Sequence, residues 1–241
     1  MSEDVQRVSG VITKIEEINS EIRNYEISFK QGREAAFCFA MGIYSSCGEI
    51  CRPYTPVKIN KECVVCPIKI YKQEGERKML TPLVGTWKEG DSVDILWYRK
   101  KLPILEMLSE KHKTVFMISA GTGVTPMMQM LFYADANRMR NFKFVSVCLN
   151  KNETYRILRS CAEYPGLDLE IVDLYTQTEK GSRERSLMEL RLEVEKIERE
   201  TAIFCVSGPN SFVEAVSGPR KQEFGGMLKI MGVLDENCFK F

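Results

Sequence analysis

The stretch Gly121-Thr122-Gly123-Val124-Thr125-Pro126 decides the fold of the second half of this 241-residue chain. It follows the short apolar run Val115-Phe116-Met117-Ile118, which predicts a buried strand that ends in a glycine turn. A helix is predicted next, with Thr125 as its cap and Pro126 in its first turn, where a missing N–H is harmless. Glycines let the backbone approach a phosphate, and the start of a helix attracts anions. The stretch therefore predicts nucleotide binding, although any α/β protein can use glycines simply to turn.

A second stretch, Arg52-Pro53-Tyr54-Thr55-Pro56, carries a different set of side chains. In an alternating strand Arg52 and Tyr54 would share one face, and Thr55 would lie on the other. A guanidinium for phosphate, a flat ring for stacking and a hydroxyl for hydrogen bonding together suit a flavin nucleotide. The alternative is an edge strand ended by two prolines, with a surface arginine and a half-buried tyrosine.

The pattern of apolar residues divides the chain into two parts. Residues from about Val5 to Leu96 show short alternating runs broken by turn residues, which is typical of an antiparallel β-barrel. From Val115 onward, apolar strands alternate with helical stretches, which predicts an α/β doubly wound nucleotide-binding domain. We therefore predict a two-domain protein, with a barrel domain over residues 1–110 and an α/β domain over residues 111–241. The linker is predicted between residues 98 and 112.

One charged segment within the second part also has a helical period. Between Thr178 and Glu200, apolar residues recur at steps of three and four, which predicts one amphipathic helix with a solvated face. These apolar residues are Leu187, Leu190, Val194 and Ile197.

Composition narrows the classes of function. A hydrophobic fraction of 44% is enough to fill two cores, and a net charge of +1 gives no support for nucleic-acid binding. No stretch approaches the ~20 apolar residues of a membrane span. The first residues form neither a signal peptide nor a myristoylation site. We therefore expect a cytoplasmic protein without a transmembrane anchor in this chain, or one that a partner holds at a membrane.

The metal-binding residue types favour no metal site. Nine cysteines without a secretion signal indicate a reducing compartment. The spacings of Cys47 with Cys51 and of Cys63 with Cys66 invite a zinc site. However, a separation of three residues in an extended run places Cys63 and Cys66 on opposite faces. The single histidine, His112, lies in a charged segment and is predicted to be solvated.

In their order, spacing and flanks, these stretches resemble the ferredoxin-NADP reductase superfamily, and within it the NADH-cytochrome b5 reductase family. The resemblance runs nearly from end to end. Further matching features are Ile68-Lys69-Ile70-Tyr71, Lys78-Met79, Gly90-Asp91, Gly208-Pro209 and Cys238-Phe239-Lys240-Phe241. The resemblance implies a flavoprotein oxidoreductase that passes hydride from NADH or NADPH to bound FAD, and then single electrons to an acceptor such as cytochrome b5. FMN stays open as an alternative to FAD.

The resemblance also implies the site residues. Thr55, Lys69 and Ser207 are the expected catalytic residues. Tyr54 is expected beside the flavin ring and Arg52 at its pyrophosphate, while Lys69 has the alternative of lying on the wet face of a barrel strand. The full set of expected cofactor-binding residues is Arg52, Pro53, Tyr54, Thr55, Pro67, Lys69, Tyr71, Lys78, Met79, Leu80, Thr81, Gly121, Thr122, Gly123, Thr125, Pro126, Gln177, Gly208, Pro209 and Phe241.

The chain departs from the family pattern in four places. Leu80 replaces a serine before the helix that receives the flavin pyrophosphate, where Thr81 is predicted to act as the cap instead. A Trp97–Leu102 segment replaces a glycine-rich one. Ser207 stands where the family has a cysteine beside the nicotinamide, and Gln177 where NADH-selective members have an acidic residue. NADPH is therefore expected to be tolerated, with Lys180, Arg183 and Arg185 near its 2′-phosphate or merely solvated.

Two other functions remain open at this point. One is a flavin reductase or related flavoenzyme with a different acceptor, since the matching residues concern the flavin and the pyridine nucleotide. The other is a nucleotide-binding or regulatory module that has kept the fold and lost the flavin. A candidate acceptor surface consists of six basic residues, which would steer an acidic protein. They are Arg77, Lys78, Lys100, Lys101, Lys111 and Lys113.

Overall fold

The chain forms two compact units, Met1–Leu102 and Pro103–Phe241. This computed structural model describes residues 5–29, 41–44, 51–60, 62–71, 80–98, 108, 110–150, 164–175 and 182–241. The division falls within the predicted linker. The junction at residue 110 stays a prediction, because residues 99–107 lie outside the described part of the chain.

The first unit contains a seven-stranded antiparallel sheet and one short helix. Its elements are β1 (Val5–Glu17), β2 (Ile22–Phe29), β3 (Met41–Tyr44), β4 (Cys51–Tyr54), β5 (Lys58–Ile59), β6 (Cys63–Lys69), α1 (Leu80–Val84) and β7 (Ser92–Tyr98). The order across the sheet is β4-β3-β7-β1-β2-β6-β5, and each neighbouring pair is antiparallel.

The connection between β4 and β5 forces this sheet to curl. These strands lie at opposite ends of the sheet order, yet only three residues separate Tyr54 from Lys58. Four residue steps span at most about 14 Å. Six strand spacings of ~4.8 Å would hold the edges of a flat sheet about 29 Å apart. The sheet therefore bends into a barrel around buried apolar side chains, which confirms the predicted class of the first domain.

The second unit is a parallel sheet with helices. Its elements are β8 (Thr114–Ala120), α2 (Val124–Ala136), β9 (Lys143–Asn150), β10 (Asp168–Tyr175), α3 (Ser182–Glu195), β11 (Ala202–Ser207), α4 (Asn210–Ser217), α5 (Gly226–Ile230) and β12 (Cys238–Lys240). The five strands are ordered β10-β9-β8-β11-β12. The central strands read as continuous apolar runs because both of their faces are covered, and all six residues of β11 are buried.

The strand order reverses between β8 and β11. From β8 the chain adds β9 and β10 on one side, and it then returns to place β11 on the other side of β8. The carboxyl ends of β8 and β11 lie next to each other, with Ser119 paired to Ser207. A doubly wound sheet leaves a ligand-binding crevice at such a reversal. The fold thus brings the two glycine-containing turns that follow these strands to one place.

Two predicted helix caps are wrong. The helix after the glycine turn already begins at Val124, because a 3₁₀ turn over Gly121–Gly123 leads directly into it. Thr125 is therefore its second residue, and its hydroxyl donates to the Thr122 carbonyl oxygen at 3.1 Å instead of capping the helix. Thr81 lies inside α1, which begins at Leu80, and so it is not a cap either.

Two further predictions need correction. His112 lies two residues before β8 and is buried, with 6% of its surface exposed. The prediction of a solvated side chain is therefore wrong. The charged helix covers Ser182–Glu195 and ends before Glu200, where the chain turns into β11. Its predicted apolar face is confirmed, since Leu190 and Val194 are fully buried. Within the described residues, no helix combines the length and apolar character needed to cross a membrane.

Candidate functional site

The turn after β8 uses its two glycines in different ways. Gly121 has a φ of +56°, which favours glycine, and a Cβ there would meet no atom within 4 Å. A Cβ on Gly123 would lie 2.6 Å from the Cα and N atoms of Gly208. The first glycine therefore shapes a turn beside open space, and the second allows the two turns to touch.

The turn after β11 is equally restricted to glycine. Gly208 has a φ of +154°, and a Cβ there would lie 2.8 Å from Cδ1 of Phe212 and 3.1 Å from Cβ of Ala120. The carbonyl oxygen of Pro209 accepts hydrogen bonds from the N–H groups of Phe212 and Val213, at 2.9 Å and 3.0 Å. This turn is thus fixed at the carboxyl edge of the sheet and leads straight into α4.

The two turns form a surface suited to the phosphates of a nucleotide. The first turn of a helix has N–H groups with no acceptor in the helix, and its dipole favours negative charge. The helix α2 has 13 residues and no acidic residue in its first turn. Thr122 is exposed beside it. Because the N–H of Val124 already donates to the carbonyl oxygen of Gly121, the N–H donors that an anion would meet at this edge are those of the 3₁₀ turn over Gly121–Gly123, and no carboxylate from the first turn of α2 opposes it.

Ser207 lies at the end of β11, beside this surface. It is 4% exposed, so little of its side chain is available to a bound ring. Its catalytic role stays a prediction. Cys205, two residues earlier, is fully buried in the sheet.

Arg220 is a site residue that the sequence did not predict. Its Nη2 donates to the carbonyl oxygen of Gly208 at 2.6 Å. Its Nη1 donates to Oδ1 of Asn210, and its Nε donates to the carbonyl oxygen of Phe241. One guanidinium thus connects the glycine turn, the start of α4 and the last residue of the sequence.

Lys240 is a second cation whose contacts the sequence did not predict. Its Nζ donates to the carbonyl oxygens of Pro219, Gln222 and Glu223, at 2.9 Å, 3.0 Å and 3.4 Å. The only sequence signal for either residue is a cation near a turn, and such cations are usually solvated. Phe241 continues this arrangement, because its N–H donates to the Val206 carbonyl oxygen at 2.9 Å.

The barrel unit presents the residues of the second stretch. Arg52 is exposed on β4, and its Nη1 donates to the Cys51 carbonyl oxygen at 2.9 Å. Tyr54 is half-buried against the barrel core, and this burial raises the pKa of its phenol well above the usual value. The strand ends at Tyr54. The alternation had predicted Thr55 on the opposite face of that strand. This prediction is wrong, because Thr55 lies beyond the end of the strand.

A second group of predicted residues comes together at the end of β6. Lys69 Nζ pairs with Glu21 Oε2 at 2.8 Å and lies 5.6 Å from the centre of the Tyr71 ring. The backbone N–H of Tyr71 donates to Oγ1 of Thr81 at 3.4 Å, and the Tyr71 ring is 47% exposed. Strand, ring and helix α1 are thus joined by direct contacts.

Several other predicted site residues have a narrower role or lie outside the described residues. Leu80 is 1% exposed in the barrel core and Pro67 is buried, so little of either residue is available to a ligand. Lys78, Met79 and Gln177 are outside the described part of the chain. No group of three or more potential metal-binding side chains is found among the described residues, and their six cysteines form no disulfide with one another.

The barrel and the doubly wound sheet, with its paired glycine turns, form a two-domain fold similar to that of solved reductases. Residues 117–218 match the family described as the oxidoreductase NAD-binding domain. The structure is similar to a ferredoxin NADP+ reductase from Neisseria gonorrhoeae solved with bound FAD and NADP. The TM-score is 0.66 at 18% identity, over 86% of this chain and 87% of that one.

The chain is also similar to curated NADH-cytochrome b5 reductases. The chain is 28% identical to NADH-cytochrome b5 reductase 2 of Pyricularia oryzae over 80% of its own length, and it spans 60% of that protein. It is 25% identical to NADH-cytochrome b5 reductase 2 of Kluyveromyces lactis over 95% of its length, and it spans 82% of that protein. The resemblance to NADH-cytochrome b5 reductases predicted from the sequence is confirmed.

Proposed function

We propose that this chain binds FAD on its barrel unit and NADH or NADPH on its second unit, and that it passes electrons from the nucleotide to a one-electron acceptor such as cytochrome b5. The observation that carries the proposal is the contact between the Gly123 and Gly208 turns where the strand order reverses. The NAD-binding domain match over residues 117–218 supports the nucleotide half. The reductase with bound FAD and NADP supports the same pair of cofactors.

The residues of the second unit fit a pyridine nucleotide. Open space beside Gly121 and the start of α2 suit its diphosphate, with Thr122 and the backbone of Gly123 as donors. Gly208 and Pro209 would lie at its nicotinamide end. Because each glycine is required by φ or by close backbone contact, the chain itself holds the coenzyme in one orientation.

The residues of the barrel unit fit a flavin nucleotide. The described hydrogen bond of Arg52 uses one of its five N–H donors, and the exposed guanidinium suits a pyrophosphate. The phenol of Tyr54 is neutral at physiological pH, since burial raises its pKa further above the ordinary value of 10.0, and it offers a ring face and a hydroxyl. When bound, the flavin accepts a hydride from reduced nicotinamide and releases the electrons singly. Thr55 and Lys69 are proposed to hydrogen-bond the ring.

The acceptor is the least constrained part of the proposal. Lys111 and Lys113 are exposed, and the other four residues of the basic set lie outside the described residues. Cytochrome b5 is proposed because the curated relatives carry its name. If the basic residues steer an acidic protein, the rate of its reduction falls as the salt concentration rises.

A steady-state assay with alternative substrates tests this function. The FAD-loaded protein is given NADH or NADPH with either cytochrome b5 or ferricyanide. We expect reduction of both acceptors, and we expect the rate of cytochrome b5 reduction to fall as the salt concentration rises. Reduction of ferricyanide without reduction of cytochrome b5 would refute the proposed acceptor and leave a reductase with a different one. No reduction of either acceptor would refute the proposed activity.

A further inference from the structure

We propose that Arg220 is a positioning residue for the pyridine nucleotide, because it fixes the turn against which the nicotinamide end would lie. The proposal rests on the proposed function and adds to it a residue that acts through the Gly208 turn. The three nitrogen atoms of the guanidinium reach three separate segments of the chain, namely Gly208, Asn210 and Phe241.

The turn is held from two sides. On one side the backbone of Gly123 packs directly against Gly208, which leaves no room for even one additional carbon atom. On the other side Arg220 donates to the Gly208 carbonyl oxygen. A displacement of this carbonyl therefore requires either a broken charge-assisted hydrogen bond or a movement of the phosphate-binding turn. The same clamp sets the start of α4 through Asn210.

Arg220 is itself held in place by the end of the sequence. Lys240 binds three carbonyl oxygens of the 219–223 loop, which carries Arg220. Arg220 in turn binds the carbonyl oxygen of Phe241, the next residue after Lys240. The two cations thus form a reciprocal clamp, in which β12 holds the loop and the loop holds the residue that follows β12. The position of Arg220 relative to Gly208 is fixed by these bonds.

A lysine cannot replace this arginine fully. The guanidinium is planar and directs donors along several fixed directions, whereas an ammonium is a compact charge on a flexible stem. Arg220→Lys keeps the charge and can reach at most part of the three acceptors. The lysine variant therefore separates the contribution of charge from that of geometry.

The test compares the FAD-loaded wild-type protein with Arg220→Ala, Arg220→Lys and a control, Arg191→Ala. Arg191 pairs with Glu195 at 3.2 Å on the exposed side of α3, so its loss changes the charge equally without touching the turn. For each protein the affinities for NAD+ and ADP-ribose are measured by calorimetry, and the rate of flavin bleaching by saturating NADH is measured without air. ADP-ribose lacks the nicotinamide and serves as the internal reference.

We expect Arg220→Ala to lower the bleaching rate at saturating NADH by roughly 10–100-fold, the range that misplacement of a reacting group produces. Its affinity for NAD+ should fall relative to wild type, while its affinity for ADP-ribose and its FAD content stay unchanged. Arg220→Lys should recover part of the rate, and Arg191→Ala should match wild type.

Two results would overturn the inference. The first is an Arg220→Ala protein that is bleached by NADH and binds both ligands as wild type does. The second is a parallel loss of affinity for NAD+ and for ADP-ribose in both Arg220 variants, because such a loss indicates a general structural role. If wild type is bleached by neither NADH nor NADPH, the proposed function fails, and the comparison of NAD+ with ADP-ribose still decides the role of Arg220. A wild-type protein that binds neither ligand contradicts both.

Discussion

Single residues in the two glycine turns carry the strongest structural constraints on this site. Gly121 and Gly123 differ by two positions, but only Gly123 meets other backbone within 3 Å of its missing side chain. Backbone atoms cannot move aside as the end of a flexible side chain can. The two glycines are therefore expected to respond differently to the same substitution.

Gly123→Ala is predicted to abolish measurable NAD+ binding, because the new methyl group would displace the Gly208 turn. Gly121→Ala should cost about 1 kcal/mol of unfolding free energy through its positive φ, with the surrounding space still open. Denaturant unfolding and calorimetric titration with NAD+ measure both effects.

The matched control for these variants is Gly90→Ala in the barrel unit. Gly90 has a φ of +94° with no atom within 4 Å of its missing side chain, so it reports backbone strain without a nearby ligand. Wild-type NAD+ affinity in Gly123→Ala would mean that the contact between the two turns is irrelevant to the coenzyme.

Cys238 provides a prediction about pH at the residue scale. Burial raises the pKa of its thiol to about 12, against an ordinary value of 9.0. The neutral thiol of the folded protein therefore stabilises the fold fully below about pH 9, and this contribution is lost as the pH rises toward 12. Cys51 and Cys238 are both half-buried, and the raised pKa of the Cys238 thiol should make it the slower of the two to react with iodoacetamide at pH 8 in the native protein.

Mass spectrometry of the native and unfolded proteins measures this labelling. In denaturant, both cysteines should react at similar rates. Rapid labelling of native Cys238 would show that β12 opens readily, and that the clamp formed by Lys240 and Arg220 is weaker than the contacts indicate.

At the scale of elements, the barrel holds helix α1 at its carboxyl end. The hydroxyl of Tyr25 donates to the Val84 carbonyl oxygen at 2.9 Å, and Nη1 of Arg23 donates to the Gly85 carbonyl oxygen at 2.8 Å. The Tyr25 ring also packs edge-on against Trp87, with ring centres 5.9 Å apart. Strand β2 therefore fixes the helix that the sequence assigns to the flavin pyrophosphate.

Tyr25→Phe is predicted to lower the free energy of unfolding by roughly 0.5–1.5 kcal/mol, because it removes one buried hydrogen bond and keeps the ring. Denaturant unfolding measures the change. Tyr71→Phe is the control, since that ring is 47% exposed and the loss of its hydroxyl should have little effect on stability. Equal stability of wild type and Tyr25→Phe would contradict the docking of α1 through this bond.

Elements defined by local sequence could be predicted, and contacts between distant residues could not. The apolar run at Val115 and the glycines that follow it are local signals, so β8 and its turn were predicted correctly. The cap at Thr125 was wrong because a 3₁₀ turn, which has no distinct local signal, extends the helix backward. Arg220 and Phe241 are 21 positions apart in the sequence, and no periodic pattern predicts the hydrogen bond between them.

The whole molecule combines two units, each with a role that its own topology supports. The sheet of the first unit curls because a three-residue connection joins its two edge strands. The second unit forms its crevice because its strand order reverses. The pattern of apolar residues predicted both classes. It could not predict the reciprocal clamp or the burial of His112, since charged and polar side chains are placed by packing rather than by pattern.

The proposed function requires that this chain binds a flavin and that a pyridine nucleotide reduces it. The most direct measurement is the visible absorption spectrum of the purified, FAD-reconstituted protein, recorded without air before and after one equivalent of NADH or NADPH. We predict that either nucleotide bleaches the flavin spectrum of the wild-type protein and that neither bleaches the spectrum of Gly123→Ala. A protein that cannot retain FAD or FMN, or a bound flavin that neither nucleotide reduces, would contradict it.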